Sequence, residues 1–143
     1  MTLFKKKLVK SWWQYEIADD LCRKLFSVEK NATQNTYPKP GKYAVALLTS
    51  AGNIYPGVSY HSDVYTLTMH AEMTALANAA INGEKEVIAI TGPNCHICKQ
   101  LLWESAVRSK IDPIIILEEL GRLKKIPLSE MMVYPWPDRE GNK

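Results

Sequence analysis

No apolar run in this chain approaches the roughly 20 residues that a helix needs to cross a bilayer, so a helical membrane span is excluded. Cysteine is scarce: three residues, an odd number, two of them close together as Cys95-x-x-Cys98. That count does not build a disulfide framework and points instead to metal or redox chemistry. Internal repeats and low-complexity tracts are absent. Charge of one sign is also in short supply, with a net charge of +3. A polynucleotide partner would want a basic groove with stacking aromatics, and the mild charge argues against one. The Lys5-Lys6-Lys7 run reads as a solvated stretch. The opening MTLFKKKLVKSWWQ places lysines before apolar residues, but Lys10, Ser11 and Gln14 interrupt them and no small-residue cleavage site follows. A signal peptide is therefore not expected, and the cytoplasm is the expected location.

What is present is the composition of a globular protein, 46% hydrophobic and 23% charged over 143 residues. That length suits a single domain spanning 1–143. Trp13, Ile17, Leu21, Leu25 and Val28 recur at helical spacing and predict an amphipathic helix from about Leu8 to Val28. Cys22 lies beside that stripe and reads as a small buried apolar residue. Pro38, Pro40 and Gly41 mark a loop from Asn31 to Lys42. Tyr43 to Thr49 reads as a buried strand, Ser50 to Asn53 as a turn, and Ile54 to Tyr60 as the returning strand of a hairpin. A helix is predicted from His70 to Ile81, stopped by Asn82-Gly83. A strand from Glu86 to Thr91, a helix from Cys95 to Val107 and a strand from Ile111 to Leu117 follow. A weaker fifth strand is expected near Arg122 to Ile126. Strands alternating with helices after an opening hairpin predict an α/β fold: a three-layer α/β/α sandwich around a mixed sheet of about five strands.

The chemically capable residues fall at two helix starts. His70 and Glu72 open one helix, and Cys95 and Cys98 open the next. Helix N-termini at one edge of a sheet converge on a shared crevice, and their dipoles favour thiolates and carboxylates. Zinc takes nitrogen and sulfur ligands in a tetrahedron, and catalytic sites keep three protein ligands and one open position. Cys95, Cys98 and His70 supply three, and bound zinc lowers the pKa of water from 15.7 to about 7. Glu72 would stand beside the metal without ligating it, as a carrier of protons. Rival readings of the CxxC are a structural zinc half-site, which needs a fourth ligand from Cys22 or a spare histidine, and a redox pair. The redox reading lacks a thioredoxin-like strand before the motif and leaves His70 unexplained. His96 is expected to point to solvent or line the cleft.

Together the four residues match the signature H-x-E…P-C-x-x-C of zinc-dependent deaminases. From about Tyr43 to Trp136 the chain resembles the cytidine deaminase family. LLTSAGNIYPGVS, Leu47 to Ser59, is similar to that family's opening hairpin. Leu67 to Glu72, LTMHAE, resembles its metal-and-acid motif, and Asn94 to Leu102, NCHICKQLL, its cysteine helix. Leu128 to Met132, with Trp136 after it, resembles the closing segment. The first forty residues resemble the family only in being a helix.

The resemblance implies zinc-dependent hydrolytic deamination of a cytosine-type base or nucleoside, cytidine or deoxycytidine, to the uracil form with release of ammonia. The same chemistry on another aminated pyrimidine or purine, such as blasticidin S, is the alternative; a polynucleotide deaminase or structural zinc module comes after it. It further implies a homotetramer engaged in pyrimidine salvage, with Trp136 near a neighbouring active site. Tyr43 takes the place of an aromatic that packs on the pyrimidine, and Ala71 is carried over as a substrate contact. Ser59 and His61 stand where cytidine-specific members present asparagine and glutamate to the ribose. Tetrameric members usually have cysteine in place of His70 and arginine in place of Met73. Zinc with two thiolates and a neutral imidazole carries no net charge, so the site needs no cationic neighbour. Pro93 also stands one position earlier than usual before Cys95, which is expected to shift the loop without removing a ligand.

Overall fold

The computed structural model describes residues 4–92 and 95–143. The segment predicted as one opening helix is here a hairpin followed by a helix. Strands β1 (Lys6–Val9) and β2 (Trp12–Tyr15) pair antiparallel with Val9 opposite Trp12. Lys10 and Ser11 form the two-residue turn between them, with φ of 48° and 71°. Positive φ at both turn residues matches the twist of a tight hairpin. The helical spacing counted Trp13, but Trp12 is the buried tryptophan, packed on Trp103 at 5.0 Å between ring centroids. Aromatic residues pack well on a pleated surface, and here that contact outweighs the local helical period. Trp13 N donates to Lys110 O (2.9 Å) and Asp112 N to Trp13 O (2.8 Å). Gln14 Nε2 adds a bond to the buried Asp112 carboxylate (3.0 Å). Helix α1 begins only at Asp19 and runs to Ala32, burying Cys22 and Leu25. Its acidic first turn and Lys30 in the last suit the helix dipole.

The remaining strands are β3 (Ala44–Thr49), β4 (Ile54–Val58), β5 (Val87–Thr91), β6 (Ile114–Glu119) and β7 (Arg122–Pro127). They form one sheet in the order β4-β3-β5-β6-β7. Only β5 and β6 pair parallel, so the sheet is mixed, and the weak fifth strand is present. Alternation along the strands divides the core. Val45, Leu47, Ile90 and Ile115 pack with helices α2 (Ala71–Ile81) and α3 (His96–Ser109). Ala46, Leu48, Ala89 and Ile116 pack with Cys22 and Leu25 of α1. The three-layer arrangement follows from that period of two.

Helix α2 sits unusually close to the sheet. It presents Ala71, Ala75 and Ala79 to the core, and beneath it lies Gly57. A Cβ on Gly57 would stand 2.1 Å from Ala71 O and 2.5 Å from Ala75 N, so no other residue fits without moving the helix. Thr74 Oγ1 accepts from Val58 N (2.8 Å), and Asn78 Nδ2 donates to Pro56 O (3.2 Å). These bonds tie α2 to the edge strand β4.

Candidate active site

Helices α2 and α3 begin at the same end of the sheet, and the residue before each first turn carries a metal-binding atom. His70 is the N-cap of α2 and Cys95 the N-cap of α3, both on extended backbone. Cys95 Sγ accepts from Cys98 N at 3.3 Å, so one sulfur also satisfies an orphan donor of its helix. His70 Nδ1 lies 3.3 Å from Cys95 Sγ and 3.2 Å from Cys98 Sγ. All three ligand atoms fall within 4.8 Å of one another. Tetrahedral zinc with ordinary bond lengths would set its nitrogen and sulfur ligands about 3.6 Å apart, close to what is found. Among the described residues this cluster has three members, leaving a tetrahedral ion one open position.

Ligation by Cys98 requires its buried thiol to ionise. Burial pushes the Cys98 thiol well up, and the neighbouring Glu72 carboxylate and Cys95 push it further. Such a thiol stays protonated and cannot ligate unless a positive ion shares the site; a divalent metal reverses that preference. The donor set therefore fits zinc. Cys22 is elsewhere, buried under α1 with its thiol directed at Ile17 O (3.9 Å). His96 is exposed and is not among the cavity-lining residues.

A cavity of about 870 Å³ opens over this group. Glu72, only 6% exposed, lines it together with His70, Ala71 and Cys95. Tyr43, Ser59 and His61 line it as well, so every residue carried over as a substrate contact reaches the same space. Tyr43 is 72% exposed and lies on this wall rather than in the core. His61 Nδ1 is 3.5 Å from Thr68 Oγ1.

Sequence reasoning missed the rim. Tyr37 stacks on Tyr60 with centroids 4.4 Å apart, and its backbone pairs with Ser59 and His61. Tyr60 in turn exchanges two backbone bonds with Met69. Those pairings draw Tyr37, Lys39, Lys42 and Asp63 around the mouth. In the sequence these are ordinary loop residues, and no local spacing marks them.

The family model of the cytidine and deoxycytidylate deaminase zinc-binding region matches residues 17–111. The chain belongs to this family. It is accordingly a zinc-dependent hydrolytic deaminase, with zinc as its metal. A cytidine deaminase of Sporosarcina psychrophila is 29% identical over 119 residues, which cover 76% of this chain and 86% of that protein. The crystal structure of cytidine deaminase from Burkholderia pseudomallei superposes with a TM-score of 0.66 at 22% identity, covering 80% of this chain and 98% of the other. That of cytidine deaminase from Mycobacterium tuberculosis gives 0.65 at 19% identity, covering 83% and 98%. These likenesses establish the α/β fold.

The hairpin of β1 and β2 lies ahead of the family match, and it corrects the expectation of a purely helical opening. The early Pro93 and its neighbour Asn94 lie outside the described residues. No described helix is long and apolar enough to cross a membrane. The closing segment lies on its own α3: Gln100 Nε2 donates to Trp136 O and Trp103 Nε1 to Pro137 O, both at 2.7 Å. The Trp136 ring nevertheless stays 60% exposed.

Proposed function

We propose that this deaminase acts on a cytosine ring carried by a nucleoside, cytidine or deoxycytidine, giving the uracil form and ammonia. The observation behind this reading is the convergence of His70 Nδ1 and the sulfurs of Cys95 and Cys98 beside buried Glu72 in one cavity. His70, Cys95 and Cys98 hold the metal. Zinc, when bound, supplies the Lewis acidity that makes hydroxide available from water near neutral pH. Glu72 moves two protons in turn: the first from the attacking water to the ring nitrogen, the second from the new hydroxyl at C4 to the departing amine. One water is consumed and one ammonia released, with no redox change. Tyr43 packs on the pyrimidine, Ala71 borders it, and Ser59 and His61 face the sugar. Since these two replace a carboxamide and a carboxylate, ribose and deoxyribose are poorly distinguished.

The chain works as one domain in a homotetramer, in the cytoplasm, in pyrimidine salvage. Support for assembly comes from exposed apolar side chains: Val64, Tyr65 and Leu67 ahead of α2, and Val133, Tyr134 and Trp136 after β7. Clustered exposed aromatics favour interfaces. The test is ammonia release by zinc-loaded protein offered cytosine, cytidine, deoxycytidine and blasticidin S. Cytidine and deoxycytidine should turn over with kcat/KM within about tenfold of each other, because an unpaired hydroxyl costs about 1–3 kcal/mol. Turnover of none of the cytosine compounds would overturn the reading. Light scattering that finds a monomer at micromolar concentration would overturn the assembly.

A further inference from the structure

We infer that Glu29 is a positioning residue for the metal site: through Thr91 and Gly92 it fixes the point at which β5 leaves the sheet to deliver Cys95. This rests on the reading of Cys95 as a zinc ligand, and it adds to that site a residue from the opposite face of the sheet.

Helix α1 packs on the face of the sheet away from α2 and α3, and its Glu29 is half-buried there. Glu29 is not among the described residues that line the cavity, so its route to the metal runs through others. Thr91 Oγ1 donates to Glu29 Oε1 at 2.8 Å and accepts from Ala46 N at 2.9 Å. Thr91 is the last residue of β5 and is fully buried. The ladder between β3 and β5 pairs Leu47 with Ile90. One step further, the hydroxyl of Thr91 takes the Ala46 N–H in place of a main-chain oxygen. An N–H only donates, so the hydroxyl accepts from Ala46 and must send its own proton elsewhere. Glu29 receives it. Without Glu29 a buried donor is left unpaired at the very end of β5.

The carboxyl group also reaches the next residue. Gly92 has φ of 96°, a conformation suited to glycine. A Cβ built there would stand 3.2 Å from Val45 Cγ1 and 3.6 Å from Glu29 Oε1. Glu29 and the cavity-lining Val45 therefore both close on the chain at Gly92, three positions ahead of Cys95. Glu29 is itself held in place, since its main-chain oxygen accepts from Thr33 Oγ1 (2.9 Å) at the end of α1. Functional side chains must be held within roughly 0.5 Å of their productive geometry, so the path of the chain at Gly92 bears directly on Cys95.

The test measures zinc affinity by chelator competition, and the absorption of the cobalt-substituted protein, in a set of variants. Cys22→Ala serves as a buried control on the same helix. Glu29→Ala and Thr91→Val should each weaken zinc about tenfold, as loss of a ligand's support commonly does, and should shift the thiolate-to-cobalt absorption. Adding Glu29→Ala to Thr91→Val should weaken zinc no further, because both break one link. Glu29→Asp is one methylene short and should behave like Glu29→Ala; it decides the matter if Glu29→Ala does not fold. Glu29→Gln should hold zinc within about threefold of wild type, since its amide oxygen accepts from Thr91. Cys22→Ala should bind zinc normally. Unchanged affinity and cobalt absorption in Glu29→Ala or Glu29→Asp would overturn the inference. So would a loss that Glu29→Gln does not repair, or one that Cys22→Ala shares. Full zinc in Cys95→Ala would overturn the ligand reading itself, whereas zinc lost there but untouched by the Glu29 variants overturns this inference alone.

Discussion

The two ends of the five-stranded sheet handle polar groups in opposite ways. At the end away from the cavity, Glu84 accepts from Thr49 Oγ1, Tyr55 OH and Asn53 Nδ2. Beside it Ser50 Oγ donates to Glu86 (2.7 Å). Donors and acceptors are matched within the protein, and Glu84 is held below its ordinary pKa, most of all by the Thr49 hydroxyl. At the cavity end the reactive atoms gather without such closure: a raised thiol at Cys98, a buried carboxylate at Glu72, and an imidazole nitrogen between two sulfurs. Even the flanking Glu29, which accepts from Thr91 Oγ1 (2.8 Å), is pushed up by burial rather than down by its donor. One end uses its polar groups to hold the fold. The other gives up stability to keep them available for a metal and a substrate.

Breaking that contrast should have its largest effect on turnover. Glu72→Gln should keep the fold and the metal yet lower kcat by ~10²–10⁴-fold, the loss usual for a general acid–base group. Glu84→Gln at the other end should leave kcat within about twofold. Steady-state kinetics on the two variants checks this, and similar losses in both would erase the distinction. Metal content should divide as sharply. His70→Ala and Cys98→Ala should drop from about one zinc per chain to near none, while Cys22→Ala keeps its ion. Elemental analysis decides, and full zinc in Cys98→Ala would refute the ligand set.

Gly57 joins the two kinds of region, since it seats the helix that carries Glu72. Gly57→Ala forces backbone apart at contacts of 2.1–2.6 Å. It should cost about 3 kcal/mol, or roughly 10 °C in Tm by calorimetry, together with part of the activity. The smallest effect is on acid stability, and its sign differs between the ends. The folded pKa of Glu84 is depressed, so its contribution is present above the ordinary 4.5 and is lost as pH falls through the lowered value. That of Glu29 is raised, so its contribution is present below 4.5 and is lost as pH rises through the raised value. Urea unfolding at a series of pH values should find the acid limb flattened in Glu84→Gln and the decline above 4.5 flattened in Glu29→Gln. The same slope change in both would contradict the contrast.

The metal chemistry was legible in the sequence because it is written at short range. Cys95 and Cys98 are one turn apart, and His70 and Glu72 two residues apart, so local geometry alone sets each pair at the head of its helix. The sheet was legible for a related reason: Val45-Ala-Leu-Leu48 and Val87-Ile-Ala-Ile90 are apolar on both faces, which suits strands covered by helices on both sides. The opening hairpin was not legible. A window from Leu8 to Val28 holds a real helical period, and its first turns are overruled by Trp103, Lys110 and Asp112, nearly a hundred residues away. The same holds for the rim and for the seat of α2. Tyr37 meets the site through Ser59 and Tyr60, and Gly57 matters only because Ala71 and Ala75 lie on it. Residue identity and spacing determined which groups bind metal and move protons. Which side chains surround them was decided by contacts between distant segments, whose energy depends on backbone shapes meeting in space and leaves no period in the chain.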